Sequence, residues 1–257
     1  MKLYRYSCYN RRIKIGGAHM RFIMFLILSA IFSFAMSADV VGAKIVGTID
    51  GMKGIVKINR EGMIKKINAL KGTKIQKGDL VTTTSSATAF LKLIDGSNVV
   101  LDKSSSIQFT NLNEAEQKSG RVYYKITSRS ANNSLDVKTP FAIIGIKGTT
   151  FIVNTEDQDK SIALKEGKIG ISSMKEEFEL YRKKVLEEFN NYKNQQQTAY
   201  EQYLRELAGE KPELVKSFDL NAGNKVSFDD KKVVESSFTE DTNASFNHFD
   251  DIIKSMK

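Results

Sequence analysis

The stretch from Thr139 to Val153 reads Thr-Pro-Phe-Ala-Ile-Ile-Gly-Ile-Lys-Gly-Thr-Thr-Phe-Ile-Val and constrains the fold more than any other part of the chain. Gly145 and Gly148 flank a bend between an apolar run and an alternating run, both rich in the β-branched residues that favour strands. Glycine at such a point supplies backbone geometry that a Cβ would obstruct, so both residues are expected to be structural, at a bulge or tight bend. A phosphate cradle is the weaker reading. The single Gly167-Lys168 pair would need glycine at position 162 to form a P-loop, and Ile162 stands there.

Other segments repeat the strand pattern. In Thr88–Ile94 the alternate side chains Ala89, Leu91 and Leu93 share one sheet face, and Val99 and Leu101 resume that face after Asp95-Gly96. Asp-Gly accepts the positive φ of a hairpin turn, which predicts a hairpin at Asp95-Gly96. Asp50-Gly51 repeats the arrangement between 44–49 and 54–58, and Glu166-Gly167 repeats it after Ser161–Lys165. Short strands at this spacing predict a mainly β fold, either a sandwich or an irregular β-solenoid.

The Thr-Pro pair followed by Gly145-Ile146-Lys147-Gly148-Thr149-Thr150-Phe151-Ile152-Val153 resembles the hallmark of the FecR domain family, G-[IV]-[RK]-G-T-x-F-x-V. Gly72 through Gly78-Asp79, Thr82, and Ala89 to Asp95-Gly96-Ser97 resemble upstream family segments. The resemblance covers residues 43–172 and resumes at Leu220–Val226. It implies an extracytoplasmic sensing or binding module, with Gly145, Gly148, Thr149, Phe151 and Gly167 as its structural hallmark. Iron-transport regulators of the family join a cytoplasmic anti-sigma segment and a membrane span to a periplasmic signalling region. Only the FecR-domain part is matched here, so sigma-factor regulation does not follow from the resemblance.

Phe22 to Ala35 is an uncharged apolar run of 14 residues, preceded by Arg21 and followed by Ser37 and Ala38. A helix spanning a bilayer needs about 20 residues, so residues 1–38 are expected to be a secretory signal peptide, with Met20 as an alternative start. An uncleaved anchor is the other reading, since Met36 fits the −3 position poorly. The expected location is the periplasm or the cell surface, without a stable membrane span after cleavage. Six basic residues and no acid precede Asp39, so their removal takes the formal charge from +9 to +3. The remainder has no basic stripe with interleaved aromatics, which speaks against nucleic-acid binding. The sole cysteine, Cys8, lies in the leader, so no disulfide is expected in the exported chain.

Residues 39–172 then form the expected FecR-like β domain. Composition changes at Met174, where Glu, Lys, Gln, Leu and Tyr become frequent. Phe178, Tyr181, Val185, Phe189, Tyr192, Gln196, Tyr200, Tyr203 and Leu207 recur near a period of 3.6, which predicts a long helix over 175–208, about 51 Å in length, or two helices with a break. Residues 173–212 are thus expected to be a helical arm inserted in the β domain. Phe189, Tyr192, Tyr200 and Tyr203 form its candidate partner face, and self-association through the arm is a further option. Strands return over 213–230, and 231–257 should hold a connector and a short helix over 243–256, capped by Thr242, with Phe246, Phe249, Ile252 or Ile253 and Met256 on its docking face.

Chemistry finds little foothold. His248 lies on the polar side of the terminal helix, with no paired Asp, Ser or Cys motif. Asp157-Gln158-Asp159 lacks the glycine and glutamate of a calcium loop. Asp79, Asp95 and Asp102 sit beside turns, where aspartate bonds backbone amides. No catalytic, cofactor-binding or metal-binding residue is expected. The sequence therefore predicts a non-enzymatic binding module that engages an envelope protein or a cell-wall glycan, or a periplasmic signalling component that reports to a membrane-bound regulator.

Overall fold

The computed structural model describes residues 44–127, 135–182 and 212–256. The chain shuttles between two sheets. It starts in the larger sheet as β1 (Ile45–Lys53), crosses to the smaller one as β2 (Val56–Asn59) and β3 (Ile67–Asn68), and returns as β4 (Lys74–Gln76). It crosses again as β5 (Leu80–Thr83), goes back as the hairpin β6 (Thr88–Leu93) and β7 (Asn98–Leu101), and crosses as β8 (Ser106–Asn111) and β9 (Glu114–Ser119). β10 (Arg121–Lys125) rejoins the larger sheet; β11 (Leu135–Lys138) and β12 (Ile143–Ile146) lie in the smaller; β13 (Thr150–Asn154) and β14 (Ser161–Glu166) lie in the larger. β15 (Lys168–Ser172) and β18 (Ser217–Asn221) close the smaller sheet, while β16 (Phe178–Arg182), β17 (Glu213–Val215), β19 (Asn224–Asp229) and β20 (Lys232–Ser237) extend the larger.

The fold is mainly β, two sheets face to face, and one helix follows among the described residues: α1 (Glu240–Met256). The central strands of the larger sheet are buried on both faces. In β6, Ala89, Leu91 and Leu93 enter the core between the sheets, while Phe90 points outward beneath α1. Val122 and Tyr124 likewise face inward with Tyr123 outward, and Phe151 and Val153 inward with Ile152 outward. Double burial explains why these strands read as apolar runs without clean alternation. Phe246, Phe249 and Ile253 of α1 cover the outer face, and Tyr123 stacks on Phe249 with centroids 5.4 Å apart.

Several expectations need correction. A strand occupies Phe178–Arg182, where the helical count placed the start of the long helix. Phe178 and Leu180, two residues apart, both enter the core, and β16 pairs in parallel with β20. That period of two had been folded into a period of 3.6. The long inserted helix is therefore not supported; Phe189, Tyr192, Tyr200 and Tyr203, like the leader over 1–38, lie outside the described residues. Asp50-Gly51 is no turn, because β1 runs through it with a bulge between Ile49 and Gly51, and the chain turns at Gly54, φ 75°. A Cβ on Gly51 would come within 2.6 Å of Met256 Cβ, so this bulge accommodates the end of α1. The connector expected after 230 contains β20. Thr239, not Thr242, caps α1: its hydroxyl accepts the Thr242 amide at 3.3 Å, and Glu240 and Asp241 fill the first turn.

Candidate functional site

The hallmark glycines shape a corner where the chain changes sheets twice. Gly148, φ 109°, lies between β12 and β13, and Gly167, φ 88°, lies between β14 and β15. The two corners touch. A Cβ on Gly167 would sit 2.7 Å from the Gly148 carbonyl oxygen and 2.7 Å from Thr149 Cγ2. Glu166-Gly167 is thus a crossing between sheets and not the hairpin that its sequence suggested, whereas Asp95-Gly96 does join the paired strands β6 and β7. Gly145 differs from both: it lies within β12 in ordinary strand conformation, and nothing comes closer than 3.8 Å to its hypothetical Cβ. Thr149 is buried with a hydroxyl that has no hydrogen-bond partner among the described residues, and Phe151 stacks on Tyr124 at 4.7 Å inside the core.

One edge of this scaffold opens a cavity of about 430 Å³. Its first wall is the Thr139-Pro140-Phe141 turn, fixed by Thr139 Oγ1, which accepts the Ala142 amide at 2.9 Å and donates to the Ala142 carbonyl at 2.9 Å. Phe141 is thereby held against Phe228, with centroids 4.6 Å apart, and Phe178 meets Phe228 at 5.7 Å. The three rings come from the turn before β12, the start of β16 and the end of β19, segments that meet only because the sheets bring them together. Met174, 42% exposed, stands at the mouth. Lys160, Lys175 and Lys231 share the rim with Glu176, Glu177 and Asp230. Lys231 pairs with Glu176, and this contact lowers the Glu176 carboxyl and raises the Lys231 ammonium from their ordinary values.

The cavity thus has an apolar floor ringed by charges of both signs. Its rings lie at 37° and 64° to one another and form a notch, not a flat platform. Ser173 on the rim donates its hydroxyl to the Glu176 carbonyl. Sequence reasoning missed this notch because Phe141 was read as part of a strand run, Phe178 as helix and Phe228 as a closing strand.

The remaining candidates occupy the places their turn chemistry demands. Asp79 accepts the Gln76 amide at 2.8 Å, Asp95 the Ser97 amide at 3.0 Å, and Asp102 pairs with Arg121 at 2.6 Å. Burial raises the Asp79 carboxyl above its usual value, against the opposing Gln76 amide and Arg60 charge. Asp157 and Asp159 are at the β13–β14 tip, paired with Lys160 and Lys225. His248 is exposed on α1. Among the described residues no group of three His, Cys, Asp or Glu side chains is placed to hold a metal.

Residues 79–170 match the family model for FecR protein. No curated protein matches the chain. Among the solved structures that resemble it are two described as a candidate anti-sigma factor from Parabacteroides distasonis ATCC 8503. One has 11% identity and a TM-score of 0.43, covering 65% of this chain and 63% of that one; the other has 12% identity and a TM-score of 0.34, covering 62% and 99%. The family match runs from the start of β5 into β15, and the strands on either side extend the same two sheets. Residues 79–170 are a FecR domain.

Proposed function

We propose that this protein is a non-enzymatic signalling component of the cell envelope, which reports to a membrane-bound regulator through a protein contact made at the phenylalanine notch. The FecR domain at 79–170 carries the reading, because the family's known regulators are signalling proteins and not enzymes. The notch supplies a contact of suitable kind: its Phe141 belongs to the hallmark turn, so the family motif and the cavity are one local structure. An envelope protein offering a side chain fits the tilted rings better than a cell-wall glycan does. Export rests on the apolar run at 22–35 with its flanking Arg21, Ser37 and Ala38.

Met174→Glu places a charge at the mouth of the notch without emptying the core. In cells, this variant at wild-type abundance should reproduce the transcript changes caused by deleting the whole protein. Wild-type transcript levels with Met174→Glu would contradict the notch as the signalling contact.

A further inference from the structure

The edge of the sandwich opposite the added strands carries an unusual surface. β3 and β4 are the last strands of the smaller and larger sheets on this side, and the segment around them bridges the two layers. Gly72 N–H donates to the Ile49 carbonyl at 2.7 Å, and Ile49 N–H to the Thr73 carbonyl at 2.9 Å. Residues 61–68 are all exposed, and they include Met63, Ile64 and Ile67. Ile64 is fully exposed at 103%, and Leu70 follows at 72%. Of the nine large hydrophobic side chains exposed among the described residues, six lie between Ile45 and Leu70.

The same segment is basic. From Lys44 to Lys77 there are eight lysines and Arg60 against only Asp50 and Glu61. Arg60 reaches Asp79 at 3.9 Å, but no ion pair among the described residues involves Lys57, Lys65, Lys66, Lys71, Lys74 or Lys77. Lysines alone would be accounted for as protection of a sheet edge against strand addition. Edge protection does not account for Met63, Ile64 and Leu70, which make an edge more prone to association. Apolar tips beside lysines that make no ion pair suit the boundary of an anionic bilayer, where the tips enter the acyl region and the ammonium groups meet phosphates.

We infer that the 57–77 edge is a peripheral docking surface for anionic phospholipid, with Met63 and Ile64 as the inserting tip and Lys57, Lys65, Lys66, Lys71 and Lys74 as the headgroup contacts. This goes beyond the signalling role and does not depend on it. It orients the domain on the membrane.

The chain has no tryptophan, so a single Ile64→Trp reports on the tip alone. The full chain bearing Ile64→Trp is mixed with phosphatidylcholine vesicles, with or without phosphatidylglycerol, and a Leu214→Trp chain serves as control at the opposite end of the larger sheet. With phosphatidylglycerol present, the Ile64→Trp emission should shift to the blue and be quenched by brominated lipid, while Leu214→Trp stays in water. Adding Lys65→Glu and Lys66→Glu should lower the vesicle partition constant read from that shift by at least about fivefold per lysine, the effect of one basic residue at an anionic surface. The inference is overturned if Ile64→Trp and Leu214→Trp respond alike, if the shift is the same on phosphatidylcholine alone, or if it occurs without vesicles, which would mean self-association.

Discussion

At the scale of single residues, the glycines of the hallmark have different duties that their identical chemistry conceals. Gly167 holds a positive φ and its missing Cβ leaves room for the Gly148 carbonyl, so Gly167→Ala combines backbone strain with a 2.7 Å contact. It should destabilise by about 1–3 kcal/mol or more. Gly145 has neither constraint, and Gly145→Ala should be neutral or stabilising by up to about 1 kcal/mol, since alanine restricts the unfolded chain. Denaturant unfolding of the two variants checks the contrast. The motif displayed both glycines in one bend; only the backbone angles separate the residue in the strand from the residue at the corner. Thr149 and Phe151 show the same limit, because a buried hydroxyl and a stacked ring are set by neighbours such as Tyr124 that lie far away in sequence.

At the scale of elements, α1 was legible because Phe246, Phe249, Ile253 and Met256 fall on one helical face and nothing competes with that pattern. β16 was not, since Phe178 and Tyr181 suit a helical count as well as a strand, and only the burial of Leu180 between them decides. The docking of α1 also has a polar component. Asp250 accepts hydrogen bonds from Tyr123 Oη at 3.0 Å and Lys165 Nζ at 3.1 Å. Partial burial opposes its ionised form, but these two bonds and the lysine charge outweigh it and hold the carboxyl below its ordinary value. A lowered folded value stabilises above the unfolded carboxylate range, and the contribution is lost as pH falls through the folded value, below about 4. Asp250→Asn should therefore cost a constant stability increment at neutral pH, and the gap to wild type should narrow below about pH 4. Parallel melting curves across pH 3–7 provide the check.

At the scale of the molecule, the strands could be anticipated and their division between sheets could not. Asp95-Gly96 and Glu166-Gly167 look alike in sequence, yet one closes a hairpin and the other sends the chain across the core. A glycine turn specifies local backbone direction, whereas the choice of sheet is made by partners such as β19 for β14 and β18 for β15, tens of residues downstream. The notch was hidden for the same reason, being assembled from rings at 141, 178 and 228. It is also the element on which the proposed signalling role depends. The most direct measurement is site-specific photo-crosslinking in cells from position 174 of the full-length chain, with position 214 as control. The account predicts one dominant adduct from 174 to an integral membrane protein, absent from 214. An adduct only with cell-wall glycan, or the same pattern from both positions, would contradict it.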